Sequence, residues 1–582
     1  MNINRALIGL AAALLVLALP SCKKPNHPPD APAVPAGPDS GAVNDSLTFN
    51  TSALDPDGDS IAVRFDWGDG DTSDWSGFVA SGETVAASHA WDSAGTYSIS
   101  AQARDVSDVM SDWSMAKAVR IGPANQAPDA PWHLNGPFPA HRFVRYEFQA
   151  YARDPDDDSV SIRFDWGDGD TSDWSPPVGI GWSAEMSHAW DDVDMFYIRA
   201  QARDPHGAVS GWSDSLDLRI PLQDTLAKWC FQAGGEYYGT PAVGQDGTVY
   251  VTYPETGETL YAVNPDGTSR WRYGADRQAA GDPAIGPDGT IYFGTFEGYL
   301  HAVRPDGTSK WRYHAGPSLG PTSPSIAADG TIYLLEGGSL HAVSADGTLK
   351  WRYRTAGGFH NWAQICPAVG ADGTVYFGTE EDSFLGAGED GYLYAVAPDG
   401  VLRWRYAVEF GVVTSAAIAG DGTVCFVDDH GRIHALNPDG SLKWRCQVDG
   451  WETSSPIIGP DGAVYLVAEY KVYAINPDST LRWVYAMERD ADHAAPALAA
   501  DGTLLVGAED KELFAFGPDG VLRWSYVTDD EIFAGPSIAA DGTIYIGSEH
   551  GFWALRGTAP LADAPWPKFH HDLGNTGRVG GR

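Results

Sequence analysis

The chain has 582 residues, which is enough for three or four domains. It carries 78 acidic and 38 basic residues, a formal net charge of −40, and the acids are spread through turns along the sequence. This charge repels nucleic acid and anionic lipid headgroups, so we expect no nucleic-acid partner, and it is typical of a soluble surface.

The N-terminus predicts an exported lipoprotein. Residues 1–21 form a signal peptide, with Arg5 in its basic part and an apolar run over 6–19 that is too short to span a membrane. The run ends in Leu19-Pro-Ser-Cys22, which resembles the lipobox of bacterial lipoproteins and implies a diacylglyceryl group on the Cys22 thiol. We expect an exported protein anchored to a bacterial membrane, at the outer membrane or cell surface. The alternative is an ordinary signal peptide with a chance cysteine.

Two copies of one module follow the anchor. Residues 22–38 are rich in proline and predict an extended spacer. The modules span 39–122 and 123–221, because the segment from Arg64 to Trp75 recurs 99 residues later. A length near 100 residues and alternating apolar positions predict two immunoglobulin-like β-sandwiches.

Both modules carry the same pair of motifs. The first contains Trp67-Gly-Asp-Gly70 and His89-Ala-Trp91, and the second contains Trp166-Gly-Asp-Gly169 and His188-Ala-Trp190. These motifs resemble the PKD family of extracellular β-sandwiches, although Asp194-Met-Phe196 replaces the Gly-Thr-Tyr of that family in the second copy. The resemblance implies spacer, weak adhesion or carbohydrate-binding modules, mostly without catalysis.

An acidic loop in each module raises the question of a metal ion. Asp55, Asp57 and Asp59 have the spacing of a calcium-binding loop, but Ser60 stands where that loop requires glycine. The second copy departs in the same way at Ser159. We expect solvated turns, and Ca²⁺ stays an unsupported alternative with no ligand assigned.

A tryptophan recurs with a period of about 40 residues through 226–557, at Trp229, Trp271, Trp311, Trp351, Trp404, Trp444, Trp483 and Trp524. Each repeat contains short apolar segments separated by Pro-Asp-Gly or Ala-Asp-Gly turns. This pattern predicts the four-stranded antiparallel blades of a β-propeller and makes the whole chain all-β.

The way in which the ring closes is also predicted. The last repeat has three strands and ends at Trp553-Ala-Leu-Arg556, whereas Ala227–Phe231 precedes the first repeat and has no partner. Placing this early strand at the outer edge of the last blade completes an eight-bladed ring and leaves no open sheet edge; seven blades is the alternative. We expect the tail, 558–582, to cap the propeller by packing Trp566 and Phe569 onto a blade.

The repeat over 226–556 resembles the PQQ-type repeat, with an aliphatic-aromatic-Ala-aliphatic strand, an Asp-Gly turn and an outer-strand tryptophan. That family includes quinoprotein dehydrogenases and also non-catalytic lipoproteins, such as the propeller subunit of the machinery that assembles outer-membrane β-barrels. A quinone site in that family implies vicinal cysteines over the cofactor and calcium beside a catalytic aspartate. Cys230, Cys366, Cys425 and Cys446 are not adjacent in sequence, so we expect no bound quinone and four free thiols.

Recurrent histidines and arginines are predicted to be structural. His301, His341 and His434 share a strand position that other repeats fill with Tyr, Phe or Trp, which indicates a packing position for a flat ring between blades. The arginines that directly follow repeat tryptophans are predicted to be exposed on outer strands, at Arg272, Arg312, Arg352, Arg405 and Arg445.

One end of the propeller is predicted to bind a ligand. In a four-stranded antiparallel blade, the first-to-second and third-to-fourth turns share one face, and here these are uniform Asp-Gly turns. The second-to-third loops and the connections between blades share the other face, and they differ in every repeat. We call this end the variable face. Its candidate binding residues are Tyr237, Tyr238, Arg277, His360, Trp362, Trp451, Glu452, Asp490, Asp492, His493 and Asp530.

The sequence favours a non-catalytic envelope lipoprotein that binds a protein or polysaccharide on the variable face, with the two modules as spacer or adhesion units. One alternative is an exported enzyme acting on a polysaccharide or small molecule, with Asp490, Asp492 and Glu452 as candidate carboxylates. The other alternative is an envelope assembly-factor or sensor subunit. No catalytic residue is assigned.

Overall fold

A computed structural model describes residues 25–136, 140–179, 181–233, 239–253, 259–275, 278–316, 323–355, 365–379, 391–487, 494–549 and 551–579. Its regular elements are β-strands and one short 3₁₀ helix, Leu222–Leu226, which confirms the all-β prediction. No helix in these ranges has the length and apolar character that crossing a membrane requires.

The first module is a two-sheet sandwich. Its strands are β1 (Ser40–Ala42), β2 (Leu47–Ser52), β3 (Ile61–Asp66), β4 (Thr84–His89), β5 (Gly95–Asp105) and β6 (Lys117–Gly122). One sheet has the order β1-β6-β5-β3, and β2 pairs with β4 in the other. The rings of Phe65, Trp67 and His89 stack in series at 5.2 and 4.9 Å, and Asp69 accepts a 2.6 Å hydrogen bond from His89. The Trp-Gly-Asp-Gly and His-Ala-Trp motifs are therefore one packed unit.

The second module repeats this arrangement. Its strands are β7 (Trp132–Asn135), β8 (Tyr146–Tyr151), β9 (Ser161–Asp165), β10 (Ser183–His188), β11 (Met195–Arg203) and β12 (Leu216–Arg219), in sheets of order β10-β8-β7 and β12-β11-β9. Phe196 packs on Trp190 as Tyr97 packs on Trp91, at 5.6 and 5.5 Å. The sequence departure at Phe196 thus preserves the ring contact and removes only the hydroxyl that Tyr97 uses to bond the Ser93 carbonyl.

The second module also packs against the repeat region. Val144 is buried in one cluster with Trp553 and Leu555. The buried Asp224 carboxylate, just before the first repeat strand, accepts a hydrogen bond from the Arg142 amide and lies 3.3 Å from His141 Nδ1. The module is therefore fixed to the repeat region by both apolar and polar contacts.

The repeat region contains eight four-stranded antiparallel sheets among the described residues. Sheets 1 to 4 comprise β14 (Ala242–Val243), β15 (Val249–Thr252), β16 (Leu260–Val263) and β17 (Ser269–Tyr273); β18 (Ala279–Ile285), β19 (Ile291–Thr295), β20 (Tyr299–Val303) and β21 (Ser309–His314); β22 (Ser325–Ile326), β23 (Ile332–Glu336), β24 (Ser339–Val343) and β25 (Leu349–Arg354); and β26 (Ala368–Val369), β27 (Val375–Thr379), β28 (Gly391–Val396) and β29 (Leu402–Val408).

Sheets 5 to 7 comprise β30 (Ala417–Ile418), β31 (Val424–Val427), β32 (Arg432–Leu436) and β33 (Leu442–Gln447); β34 (Ile457–Ile458), β35 (Val464–Ala468), β36 (Lys471–Ile475) and β37 (Leu481–Ala486); and β38 (Ala497–Leu498), β39 (Leu504–Gly507), β40 (Glu512–Phe516) and β41 (Leu522–Val527). Sheet 8 joins β42 (Ser537–Ile538), β43 (Thr543–Gly547) and β44 (Phe552–Arg556) to the early strand β13 (Ala227–Phe231). The middle strands are buried along their whole length because they are covered on both faces by neighbouring sheets.

The early strand lies where the sequence predicts it. β13 pairs with β44 in antiparallel register, with Cys230 opposite Trp553 and Phe231 opposite Phe552. Ser537 in sheet 8 donates a 2.8 Å hydrogen bond to the Pro241 carbonyl, directly before sheet 1. The first and last repeats are therefore joined along both the outer and the inner strands.

The repeat tryptophans join each sheet to the next. The indole N–H of Trp311 in sheet 2 donates a 3.0 Å hydrogen bond to the Ala345 carbonyl in the third-to-fourth turn of sheet 3. Its ring lies against Gly347 of that turn, where the Cβ of any other residue would approach the indole to 2.7 Å. The same donor and acceptor positions recur for Trp229, Trp271, Trp351, Trp404 and Trp483. Glycine is required here both for its positive φ and for the space that the ring occupies.

The tail, which we expect to pack onto a blade, bonds the innermost strands of several sheets. Its carbonyls accept hydrogen bonds from the last residue of the innermost strand in six sheets: Val243, Ile285, Ile326, Val369, Ile458 and Leu498. Trp566 packs into the cluster shared by sheets 4 to 6, whereas Phe569 clusters with Cys366, just before sheet 4, and Ala495, just before sheet 7. The short innermost strands leave room for this segment, which satisfies their free edges.

We predict that Gly347→Ala destabilises the repeat region more than Gly337→Ala does. Both glycines have positive φ in sheet 3, +89° and +49°, but only a Cβ at Gly347 would meet the Trp311 ring. Gly337→Ala should lower the free energy of unfolding by about 1–2 kcal/mol, because alanine is strained in the left-handed conformation. Gly347→Ala should lower it by about 1–3 kcal/mol more, because the added Cβ overpacks against the Trp311 ring. Urea unfolding of the two variants measures the difference, and equal losses would contradict the proposed role of the tryptophan contact.

We also predict that the His570→Asn substitution weakens the protein mainly at low and neutral pH. Burial lowers the pKa of His570, but Cys366 and the Asp282 carboxylate outweigh burial and raise that pKa to about 9. Protonated His570 therefore stabilises the folded state by roughly 1.4 kcal/mol for each unit by which its pKa is raised. This contribution is fully present below pH 6.5 and is lost as the pH rises through 9. Asparagine tolerates the positive φ of 60° at this position. Unfolding free energies of both proteins at pH 6, 7.5 and 9 should therefore converge as pH rises.

Candidate binding face

On the Asp-Gly face, an ion pair recurs within seven of the eight described sheets. The aspartate of the first-to-second turn binds the basic residue that precedes the repeat tryptophan on the outer strand, as in the 2.8 Å pair of Lys310 and Asp288. The same pair recurs as Lys228–Asp541, Arg270–Asp246, Lys350–Asp329, Arg403–Asp372, Lys443–Asp421 and Arg482–Asp461. Hydrogen bonds from Lys443 and Thr423 lower the pKa of Asp421 to about 2. This ladder was not predicted from the sequence, because the Asp-Gly pattern indicates only tight turns.

The variable face has its own recurrent backbone contact. In sheet 5, the second-to-third loop bonds the connection that enters the same sheet, through the Asp429 amide and the Gly411 carbonyl at 2.9 Å. Equivalent bonds join Phe296 to Gln278, Glu469 to Glu452 and Glu549 to Glu531. The second-to-third loops and the connections therefore meet in these sheets, as the topology predicts.

Three of the predicted binding residues are described. Trp451 and Glu452 lie in the connection into sheet 6, and both are exposed. Asp530 lies in the connection into sheet 8 and forms a 2.8 Å ion pair with Lys511, so its charge is balanced locally. The other candidates, and the lipidation candidate Cys22, lie outside the described residues: Tyr237, Tyr238, Arg277, His360, Trp362, Asp490, Asp492 and His493.

An aromatic stack on the variable face was not predicted. Phe410, from the connection into sheet 5, stacks on His430 of the second-to-third loop with ring centroids 3.4 Å apart. His430 stacks in turn on Trp451, at 5.4 Å and an interplanar angle of 20°. Trp451 is 69% exposed and ends the stack. These rings come from three separate segments, so no local spacing in the sequence indicates that they meet.

The recurrent histidines occupy packing positions, as expected. His301 stacks on Phe293 at 5.2 Å, and burial lowers the pKa of His341 to about 4. His434 stacks on Phe426 but also lies 3.0 Å from the buried Asp428 carboxylate, so this position carries a polar contact as well. The predicted arginines are exposed on outer strands, and Arg405 lies over the Tyr392 ring.

A buried polar cluster surrounds the tail at the centre of the ring. His570 Nε2 lies 3.2 Å from Asp282, and Cys366 is adjacent. The Lys568 ammonium donates to the Phe569 carbonyl and the Asn575 side chain, and burial lowers its pKa to about 8. These side chains are almost fully shielded from solvent, so the cluster holds the tail in place and offers no substrate access.

The cysteines and acidic loops hold no assigned cofactor. Cys230, Cys366, Cys425 and Cys446 are free, as predicted, and Cys425 and Cys446 lie two strands apart in sheet 5. Asp55 accepts hydrogen bonds from the amides of Asp57 and Asp59, which forms a closed turn. Within the described ranges, no group of three or more His, Cys, Asp or Glu side chains could hold a metal ion.

The sandwich modules each carry a largely half-buried ladder of alternating arginine and tryptophan that was not predicted from the sequence. In the first, the Arg64 guanidinium lies between Trp75 and Trp113, at 4.8 and 5.3 Å from their rings. The second module repeats this with Arg163, Trp174 and Trp212. The repeated Asp-Trp-Ser tripeptide is the signal that could have indicated it.

Comparison with known proteins identifies the first sandwich module and the repeat region. A family model described as outer membrane protein assembly factor BamB matches residues 207–386 and 389–559, together more than half of the chain. A PKD domain model matches residues 32–110. The chain therefore contains a PKD domain and β-propeller repeats of the PQQ type. No curated protein matches it.

Solved structures that resemble parts of the chain include a BamB, a methanol dehydrogenase and a PKD domain. BamB from Moraxella catarrhalis is 14% identical with a TM-score of 0.47, over 56% of this chain and 99% of that one. The PKD domain of an M14-like peptidase from Thermoplasmatales archaeon SCGC AB-540-F20 is 38% identical with a TM-score of 0.16, over 17% and 98%. A europium-containing methanol dehydrogenase is 12% identical with a TM-score of 0.47, over 56% and 85%.

Proposed function

The chain belongs to the family described as outer membrane protein assembly factor BamB, and we propose that it is a non-catalytic cell-envelope protein that binds a protein partner through the variable face. The eight sheets form one closed eight-bladed propeller in this proposal. The second sandwich is a further PKD-like module, and the two sandwiches act as a spacer between the propeller and a lipid anchor at Cys22.

The difference between the two ends of the ring carries the proposal. At the Asp-Gly face, seven turn aspartates are paired with basic side chains of their own sheets, and the tail fills the centre near these turns. At the variable face, exposed aromatic side chains such as Trp451 and Tyr470 project from irregular segments. Exposed aromatic residues on a rigid scaffold are typical of a protein-binding surface.

Site-specific photo-crosslinking tests which end binds the partner. A benzoylphenylalanine placed at Phe296 or Tyr470 probes the variable face, and the same group at Val401 or Val521 probes the Asp-Gly face. All four positions carry exposed apolar side chains, so the substitutions are matched in solvent access. In intact cells of the host, we expect discrete adducts from the first pair and none from the second.

Adducts from the Asp-Gly face alone, or from none of the four positions, would contradict the proposed function. An adduct whose size shift is removed completely by glycosidase would identify a polysaccharide rather than a protein. The four variants should have the same thermal unfolding temperature as the parent, because each side chain is already exposed.

The anchor has a separate test. We predict that the full chain incorporates an alkyne fatty acid and stays with the membrane fraction, whereas Cys22→Ala loses the label and moves to the soluble exported fraction. Cys446→Ala is the control, because this partly exposed thiol lies on an outer strand far along the chain. Label retained on Cys22→Ala would rule out the lipobox assignment.

A further inference from the structure

The aromatic stack on the variable face has one end capped and one end open. Arg432 lies 5.2 Å from the Phe410 ring and forms a 2.5 Å ion pair with Glu409, the residue next to Phe410. We call this the capped end, because a guanidinium and a carboxylate lie beside the Phe410 ring. At the other end, Trp451 is exposed and the neighbouring Glu452 is also exposed.

The two ends are chemically equivalent. Each consists of an aromatic ring with a glutamate at the adjacent position in the chain, Glu409 with Phe410 and Glu452 with Trp451. A second carboxylate lies at the open end, because Glu469 accepts a hydrogen bond from the Trp451 amide at 3.2 Å. The open end therefore offers a flat ring face beside negative charge, which is the environment that the capped end uses to hold a guanidinium.

Charge around the stack favours a cation. The loops that carry the three rings contain five exposed or half-buried carboxylates against two basic side chains. The acids are Glu409, Asp429, Asp449, Glu452 and Glu469, and the bases are Arg432 and Lys471. Both bases form ion pairs within this group, Arg432 with Glu409 and Lys471 with Asp449. Among these side chains, carboxylates outnumber basic groups by three, which favours a cationic ligand over an anionic one.

The chain places arginine on aromatic rings repeatedly. Arg64, Arg163 and Arg405 each lie over a tryptophan or tyrosine ring at 4.4 to 4.8 Å. Arginine therefore packs on an aromatic ring in both sandwich modules and in sheet 4. A second copy of the same chain is a poor occupant, because two molecules of net charge −40 repel each other.

We propose that the open end of the stack docks an arginine side chain of an extended basic segment in a protein partner. The guanidinium stacks on the outer face of Trp451, and the carboxylates of Glu452 and Glu469 balance its charge. This inference rests on the proposed function, since it assigns the chemistry of the partner at the variable face.

The test measures binding of a fluorescein-labelled, Gly/Ser-rich peptide with three spaced arginines to the full chain by anisotropy. An otherwise identical peptide with citrulline keeps the planar shape and removes the charge, and a lysine peptide keeps only the charge. We expect affinity in the order arginine, lysine, citrulline. Trp451→Ala should weaken arginine binding roughly 3- to 30-fold, and Glu452→Gln should weaken it less and reduce its dependence on salt.

Two matched variants control for general effects. Trp182→Ala removes an equally exposed tryptophan in the second sandwich, and Asp399→Asn removes one negative charge from the Asp-Gly face. Neither should change arginine binding by more than about 2-fold, because neither lies near the stack. Circular dichroism verifies that all variants remain folded.

Equal binding of the citrulline peptide, or equal losses in Trp451→Ala and Trp182→Ala, would overturn the proposal. Binding of a neutral oligosaccharide that depends on Trp451, with no arginine binding, would overturn it in favour of a carbohydrate ligand. Photo-crosslinks at Phe296 and Tyr470 without arginine binding would leave the proposed function standing and reject only this inference.

Discussion

The contact between a repeat tryptophan and the next turn is the constraint on which the repeat region depends. The indole must reach a carbonyl one sheet away, as Trp271 reaches Pro305 at 2.8 Å, and its ring requires a glycine two residues later. Tryptophan spacing and turn sequence are therefore fixed together. Ser479, with φ of 70°, replaces the glycine in the turn that faces Trp444, so one of these contacts is built differently.

The fold could be predicted because local sequence signals mark where each repeat begins and ends. The tryptophan, the Asp-Gly turn and the unpaired strand at Ala227–Phe231 are local signals, and β13 pairs with β44 as they imply. The stack of Phe410, His430 and Trp451 could not be predicted, because its rings come from segments of irregular length whose relative positions depend on two neighbouring sheets. The route of the tail was missed for a similar reason: it bonds strand edges that become available only after the sheets assemble.

The two ends of the ring have different chemistry for one topological reason. The first-to-second turns keep the tight Asp-Gly geometry and also carry an ion pair such as Lys443–Asp421. The connections between sheets have no such requirement, so aromatic and charged residues such as Trp451 and Glu452 are tolerated there. The buried cluster around Lys568 and His570 also has a structural role, because it holds the tail against the innermost strands.

Pairing of β13 with β44 determines which loops share an end, so hydrogen exchange of β44 tests the account most directly. If β13 covers it, the amides of Phe552–Arg556 should exchange as slowly as those of Glu512–Phe516, the equivalent strand β40 in sheet 7. Rapid exchange of Phe552–Arg556, at the rate of an uncovered edge strand, would contradict the closure of sheet 8 and the assignment of the variable face.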